Sequence, residues 1–380
     1  MRRVYWRPQS LPRKAMLLIA GLSLLALGLV ERATLNAAEP YYEDMLSASR
    51  RAREAFAAIG RLRTQRGIAL QESLDPAGSG LIGHPLTPVT SVPGHLPSKQ
   101  TTINPNWAGV ILLMLRQAGV GEGDVVAVGF SGSFPALNAS VCCALEVLGA
   151  EPLILSSAAA SQYGANHPEL LWIDMERHLQ REGLIRSRSL GASLGGREDG
   201  AVSLSEEGRA LLARALERNE LPLLAGPDLR SRIRERIALY TERAQGRAVR
   251  AYVNVGGGAA SVGGPLVDHA FKPGLNLSAP GLVRGSESVM AHFAREGVPV
   301  LHLSNISTLA ERFRMPLQPA RLPAVGAGGL YSLPSYDRRL AGASLVTLLV
   351  ALIAFARSGV LSNLMSTSAE SQPARVQPVL

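Results

Sequence analysis

Four segments of the 380-residue chain concentrate small, hydroxylated and amide side chains: GFSGSFPALN (129–138), SSAAASQYGANHP (156–168), ASLGGRED (192–199) and NVGGGAASVGG (254–264). Ser131-Gly132-Ser133 lies between a predicted strand and a predicted helix. Helix-start N–H groups lack intrahelical partners and the helix dipole favours negative charge there, so this turn, with Asn138 one helical turn on, could cradle a carboxylate or phosphate. Gly129-Phe130-Ser131-Gly132-Ser133 also approximates a G-x-S-x-G nucleophile elbow with Ser133 replacing the last glycine, which makes Ser131 the candidate nucleophile. None of the seven histidines stands where it would mark itself as the base. The plainer reading is a tight turn in which Ser133 caps a helix beginning at Pro135.

Gly256-Gly257-Gly258, between Asn254 and Ser261, lets backbone approach a ligand closely because no Cβ intervenes. It lacks G-x-G-x-x-G spacing and a Walker lysine, so it could equally be a structural bend. Only three of the 39 basic residues are lysines, Lys14, Lys99 and Lys272. The last two sit in long loops, where a compact, titratable amine differs from the arginine the chain otherwise uses. Asn104 and Pro105 read as the cap and first proline of a helix over 106–118. The sequence therefore nominates a ligand site of Lys99, Asn104, Ser131, Gly132, Ser133, Asn138, Asn254, Gly256, Gly257, Gly258, Ser261 and Lys272.

No H-x-H or HExxH spacing occurs, and no metal or other cofactor is expected. Cys142 and Cys143 are adjacent within an apolar helical pattern and read as small buried residues. The net charge is +9, but arginine is scattered and aromatics are only 5 % of residues, which argues against a nucleic-acid partner. With 47 % hydrophobic and 18 % charged residues, the chain can bury a large core.

The elements that must position these loops follow an α/β rhythm. Strands are predicted over 124–130, 152–156, 250–255 and 298–303, and helices over 106–118, 135–148, 169–181, 205–219, 228–245 and 286–296. Near-continuous apolar strands between amphipathic helices imply a largely parallel sheet with helices on both faces, and in such a sheet the four loops share one edge. A run from Glu72 to Asn106 has no predicted element and is expected to wrap the site.

Two uncharged apolar blocks, 15–30 and 340–356, are expected to form one N-terminal and one C-terminal transmembrane helix, with flanking Arg13, Lys14 and Arg357 completing each span. A basic segment, 1–14, precedes the first block and carries no acid, so both termini are expected in the cytoplasm and the middle of the chain on the extracytoplasmic face. The expected order is completed by a stalk helix within 31–71, an extracytoplasmic α/β domain over 72–335 and a disordered tail over 357–380.

Several blocks together resemble the poly-γ-glutamate system protein family: Tyr41-Tyr42-Glu43, DPAGSGLIGHPLTPVTS (75–91), Pro93-Gly94-His95-Leu96, Lys99-Gln100-Thr101, Asn104-Pro105-Asn106, VAVGFSGSFPALN (126–138), SQYGAN (161–166), Asp174-Met175-Glu176, YVNVGGGAASVG (252–263) and Phe271-Lys272-Pro273-Gly274. They span nearly the whole middle segment. The resemblance implies a membrane-anchored accessory or assembly factor for poly-γ-glutamate biosynthesis or export. Its partners would be the synthase membrane components, the lipid bilayer and the polyanionic γ-glutamyl chain. It assigns no catalytic residue. The other functional class open to the chain is a membrane-tethered hydrolase or transferase acting on γ-glutamyl amides through Ser131.

Overall fold

The apolar run Val125–Ser131 is buried at every position, which requires packing on both sides of the strand it forms. The computed structural model, which describes residues 13–38, 40–283 and 286–357, shows how this is met. The described residues open with α1 (Arg13–Arg32) and β1 (Thr34–Ala38), followed by α2 (Tyr42–Gln65), the short α3 (Leu96–Thr102) and α4 (Trp107–Gln117). Then come β2 (Val125–Ser131), α5 (Pro135–Leu148), β3 (Glu151–Ser157), a small antiparallel hairpin of β4 (Asn166–His167) and β5 (Leu170–Leu171), α6 (Trp172–Arg181) and β6 (Gly191–Ser193). Next are α7 (Glu206–Arg218), α8 (Leu229–Ala244), β7 (Val249–Val255), α9 (Ala259–Val262), α10 (Pro265–Ala270) and β8 (Gly274–Asn276). Finally, α11 (Val289–Arg295), β9 (Val300–Leu303), α12 (Ile306–Arg312), β10 (Ser332–Tyr336) and α13 (Arg338–Arg357) complete the order.

Six strands form one sheet in the order β6-β3-β2-β7-β9-β8, parallel throughout except for the edge strand β8, which runs antiparallel to β9. Pleating sorts its side chains: Val126, Val128 and Phe130 join a core with α2, α4, α5 and α6, whereas Val125 and Ala127 join a second core with α8 and α11. In β7, likewise, Val253 and Val255 face the first core and Tyr252 the second. The α/β expectation is met. The chain builds from β2 outward through β3 to β6, then returns to the other side of β2 as β7, so β2 and β7 flank a topological switch point.

Local signals explain the helix ends. Pro135 occupies the first turn of α5, and Gly149, at φ 67°, closes it in a left-handed conformation. Ser205, Asp228 and Ser288 cap α7, α8 and α11 by accepting backbone N–H bonds from Gly208, Ser231 and Ala291. One cap differs from expectation. Asn106, rather than Asn104, precedes α4, and Asn104 Oδ1 accepts from the Asn106 backbone and side-chain N–H groups.

The helix expected as a stalk is not free-standing. Met45, Ala48, Ala52, Phe56 and Ile59 of α2 are almost fully buried in the first core, because its apolar stripe faces α4 and α5. The chain divides into two units, residues 39–331 and a second unit made from both ends, so the globular part begins well before residue 72. In the terminal unit α1 packs against α13 and β1 pairs antiparallel with β10, Thr34 opposite Tyr336 and Ala38 opposite Ser332. Among the described residues no helix is long and apolar enough to cross a membrane, so the two expected spans lack that support. The basic start and the polar tail lie outside the described residues, apart from residues 13, 14 and 357.

Three loop backbones meet at the carboxyl edge of the sheet with no side chain between them. A Cβ on Gly83 would lie 1.8 Å from the Gly164 carbonyl oxygen, one on Gly94 would lie 2.2 Å from that of Gln162, and one on Gly164 would lie 2.8 Å from the Ser133 Cα. Because the obstruction at Gly164 is backbone, Gly164→Ala is expected to destabilise the fold by ~1–3 kcal/mol, the usual cost of overpacking, read as a lower urea midpoint with unchanged slope.

Candidate functional site

A cleft of about 1070 Å³ opens at the switch point. Its walls are the turn after β2 (Ser131, Ser133, Phe134), the end of β3 with its following loop (Ser157, Ala159, Ser161), and the turn after β7 (Gly257, Ala259). The long segment before α4 closes one side with Ser91–His95, Ser98 and Lys99, as the wrapping role predicted for it requires. The charged and titratable groups facing the cleft are Lys99, His95, Arg197, Glu198, Asp268 and His269. A second cavity, about 620 Å³, runs along α2 past Arg53, Phe56 and Arg61, away from the strand ends.

Lys99 is only 3 % exposed. Its Nζ donates to the Ser133 carbonyl oxygen, lies 2.9 Å from Ser161 Oγ and sits 3.7 Å from the centre of the Phe134 ring. Among the described residues it has no carboxylate partner. Burial without a counter-charge disfavours the ammonium and brings the Lys99 pKa down to about 7. The Phe134 face offers some return to the cation, but far less than a carboxylate would.

The serine turn is built differently from an elbow. Ser131 Oγ accepts the Ser133 N–H at 3.2 Å, and Asn138, fully buried, donates through Nδ2 to the Ser131 carbonyl oxygen. Ser133 Oγ accepts the Ser161 N–H at 2.9 Å and so ties this turn to the next loop. No base among the described residues lies within hydrogen-bond reach of Ser131 Oγ. Gly132 is required by contact, since a Cβ there would stand 2.9 Å from the Ala159 carbonyl oxygen.

Behind the cleft lies a polar layer in two parts. Asp199 and Arg236 form a buried ion pair at 2.9 Å, and Asp199 Oδ1 also accepts from Ser157 and Ser193 hydroxyls at 3.1 and 2.6 Å. Glu198 and Asp199 hold left-handed conformations, φ 54° and 60°, in a segment where neither residue is glycine. On the other side Asn254 Nδ2 donates to His302 Nδ1 at 2.9 Å, which leaves the ring proton on Nε2 to donate to Asp268 Oδ1 at 3.0 Å. That hydrogen bond holds the Asp268 carboxyl below its ordinary value and fixes it at the cleft wall.

The nominated residues thus separate. Lys99, Ser131, Ser133 and Gly257 line the cleft. Asn254, Gly258 and Ser261 line a small cavity that also touches Ser131, and Gly256 (φ 81°) shapes the turn against Phe134. Gly132 and Asn138 support the turn from behind. Asn104 is buried in its own hydrogen bonds with Asn106, and Lys272 is exposed outside the cleft, where the β8 loop is held by Asn276 bonds to the Lys272 backbone. A common site that includes Asn104 or Lys272 is therefore not formed. Ser161, Asp199, Asp268 and His302 were not nominated; Ser161 and Asp199 fall in two of the flagged loops, whereas the distant Asp268–His302 pairing leaves no spacing signal.

Comparison of the chain with known protein families, with characterised proteins and with solved structures finds no match. The structure by itself therefore defines only the class: a largely parallel α/β sheet with a cleft at its switch point.

Two outcomes test the electrostatics. Between about pH 7 and the ordinary lysine value the unfolded chain binds a proton at Lys99 that the folded chain does not, so stability rises with pH across that window and the penalty is largest below pH 7. Lys99→Met should abolish that component: the stability difference between the variant and the parent protein, from urea unfolding, shrinks as pH rises from 7 to 10. Asp199→Ala, which strands a buried guanidinium, is expected to cost ~3–5 kcal/mol in the same assay at pH 7.

Proposed function

We propose that this protein is a membrane-anchored accessory or assembly factor of bacterial poly-γ-glutamate synthesis or export, and that its cleft holds a segment of the γ-glutamyl chain. The observation that carries the reading is convergence. Pro93-Gly94-His95, Lys99, the 126–138 block, Ser161 of SQYGAN and Gly257 of the glycine block, all parts of the resemblance to that family, meet around one opening. Its volume of about 1070 Å³ is at the upper end for a single small ligand and accommodates several linked residues. Serine hydroxyls and loop backbone supply hydrogen bonds, and exposed Arg197 supplies positive charge at the rim.

The terminal unit supports the anchoring part. Leu17, Leu24 and Leu25 of α1 are 73 %, 69 % and 64 % exposed, and Leu345, Val346 and Val350 of α13 are each 59 % exposed. Apolar surface on this scale suits lipid or another apolar partner better than water. The reading places α1 and α13 in the cytoplasmic membrane beside the synthase membrane components, both chain ends in the cytoplasm and residues 39–331 outside.

Full-length protein in detergent should bind γ-linked glutamate oligomers at low ionic strength, with affinity falling as salt is raised. Arg197→Ser is expected to weaken binding roughly threefold to tenfold, in keeping with an exposed charge. Absence of binding at low salt, together with unchanged polymer yield when the gene is deleted, would refute the proposal.

A further inference from the structure

We infer that Ser161 and Lys99 form a nucleophile and base pair that opens amide bonds by acyl transfer through the Ser161 hydroxyl. The geometry selects Ser161 from the serines of the cleft. Its Oγ lies 2.9 Å from Lys99 Nζ, and its only other hydrogen-bond partner among the described residues is the Gln162 carbonyl oxygen, at a long 3.4 Å. Ser131 and Ser133 use their hydroxyl oxygens to accept backbone N–H bonds instead. Both members of the pair line the cleft and are otherwise buried, Ser161 6 % exposed and Lys99 3 % exposed.

The lysine's surroundings fit a base. A neutral amine has two N–H donors and one lone pair. The Ser133 carbonyl oxygen can only accept, so it takes one N–H and orients the nitrogen, leaving the lone pair free to accept the Ser161 proton. Burial of Lys99 without a carboxylate keeps a substantial neutral fraction near neutral pH, as a base requires. A lysine retained only to clamp two loops would keep the same two contacts as an ammonium, so the roles differ in protonation and not in placement.

In the first step Lys99 Nζ takes the Ser161 proton, Oγ bonds to the carbonyl carbon, and the C–N bond breaks as Lys99 returns the proton to the leaving amine. In the second, water attacks the ester, Lys99 takes its proton, the C–Oγ bond breaks and Ser161 regains the proton, releasing a carboxylic acid. No other co-reactant is consumed. The γ-glutamyl amide as substrate rests on the proposed function; the pair itself does not.

A fluorophosphonate probe applied to the full-length protein tests the pair directly, since Oγ displaces fluoride and the adduct can be mapped by peptide mass spectrometry. The adduct is expected on Ser161, with labelling at least about 100-fold slower in Ser161→Ala and Lys99→Met, the scale of general-base assistance. Labelling should rise through a single ionisation near pH 7. The other charged and titratable groups facing the cleft are His95, His269, Arg197, Glu198 and Asp268; His95→Gln and His269→Gln should leave the midpoint in place. No adduct, an adduct on Ser131 or Ser133, or undiminished labelling in folded Lys99→Met would overturn the inference. If Lys99→Met does not fold, the adduct position and Ser161→Ala decide. Incubation with γ-linked and α-linked glutamyl oligomers separates the two proposals: cleavage of the γ-linked chain supports both, whereas a labelled Ser161 that cleaves neither overturns the substrate and leaves the pair standing.

Discussion

Contact between loop backbones is the constraint from which the site follows. Gly83 against Gly164, Gly94 against Gln162 and Gly164 against Ser133 leave no room for a Cβ, so the wrapping segment, the turn after β2 and the loop after β3 become one wall. The Lys99 amine reaches the Ser133 carbonyl oxygen and the Ser161 hydroxyl because these loops are drawn together. The same closeness excludes water from the amine and shifts its proton equilibrium. Packing and chemistry are here the same fact, since a slightly looser wall would hydrate Lys99 and restore an ordinary ammonium.

The sheet supplies the rigid frame for that wall. Burial of β2 on both faces anchors Ser131 at its carboxyl end, and the reversal of strand order beside β2 leaves the cleft between the loops of β2 and β7. Two polar assemblies stiffen the floor on either side. Asp199 with Arg236 satisfies the serines at the ends of β3 and β6, and Asn254 with His302 holds the Asp268 carboxylate. Asp199, Arg236, Asn254 and His302 are buried, so each depends on its partners for the hydrogen bonds that water would otherwise provide.

The nominated residues show where reading along a chain succeeds. Ser131, Ser133, Gly257 and Lys99 were legible because a strand-to-helix turn, a glycine run and a rare lysine are local signals. Asn104 looked like a cap from its neighbour Pro105, yet Asn106 is the residue placed before α4. Lys272 shared the rarity of Lys99 but not its surroundings: one lies exposed beside β8, the other is enclosed by three loops. The apolar stripe of α2 was visible too, although its packing against α4 and α5, which makes it core and not stalk, depends on partners about 50 to 100 residues away.

Composition and periodicity by themselves determined the α/β class, four of the six strands of the main sheet and most of the helices, the two apolar end segments and the edge on which the glycine and serine loops gather. These properties depend on spacings of two to four residues, where a side chain's neighbours are set by the backbone period. Only the tertiary structure decided that Ser161, rather than Ser131, meets an amine, that Lys99 is buried with no counter-charge among the described residues, and that Asp268 faces His302. Each of those depends on the proximity of residues more than 30 positions apart, fixed by strand order and loop packing, and no local pattern encodes it.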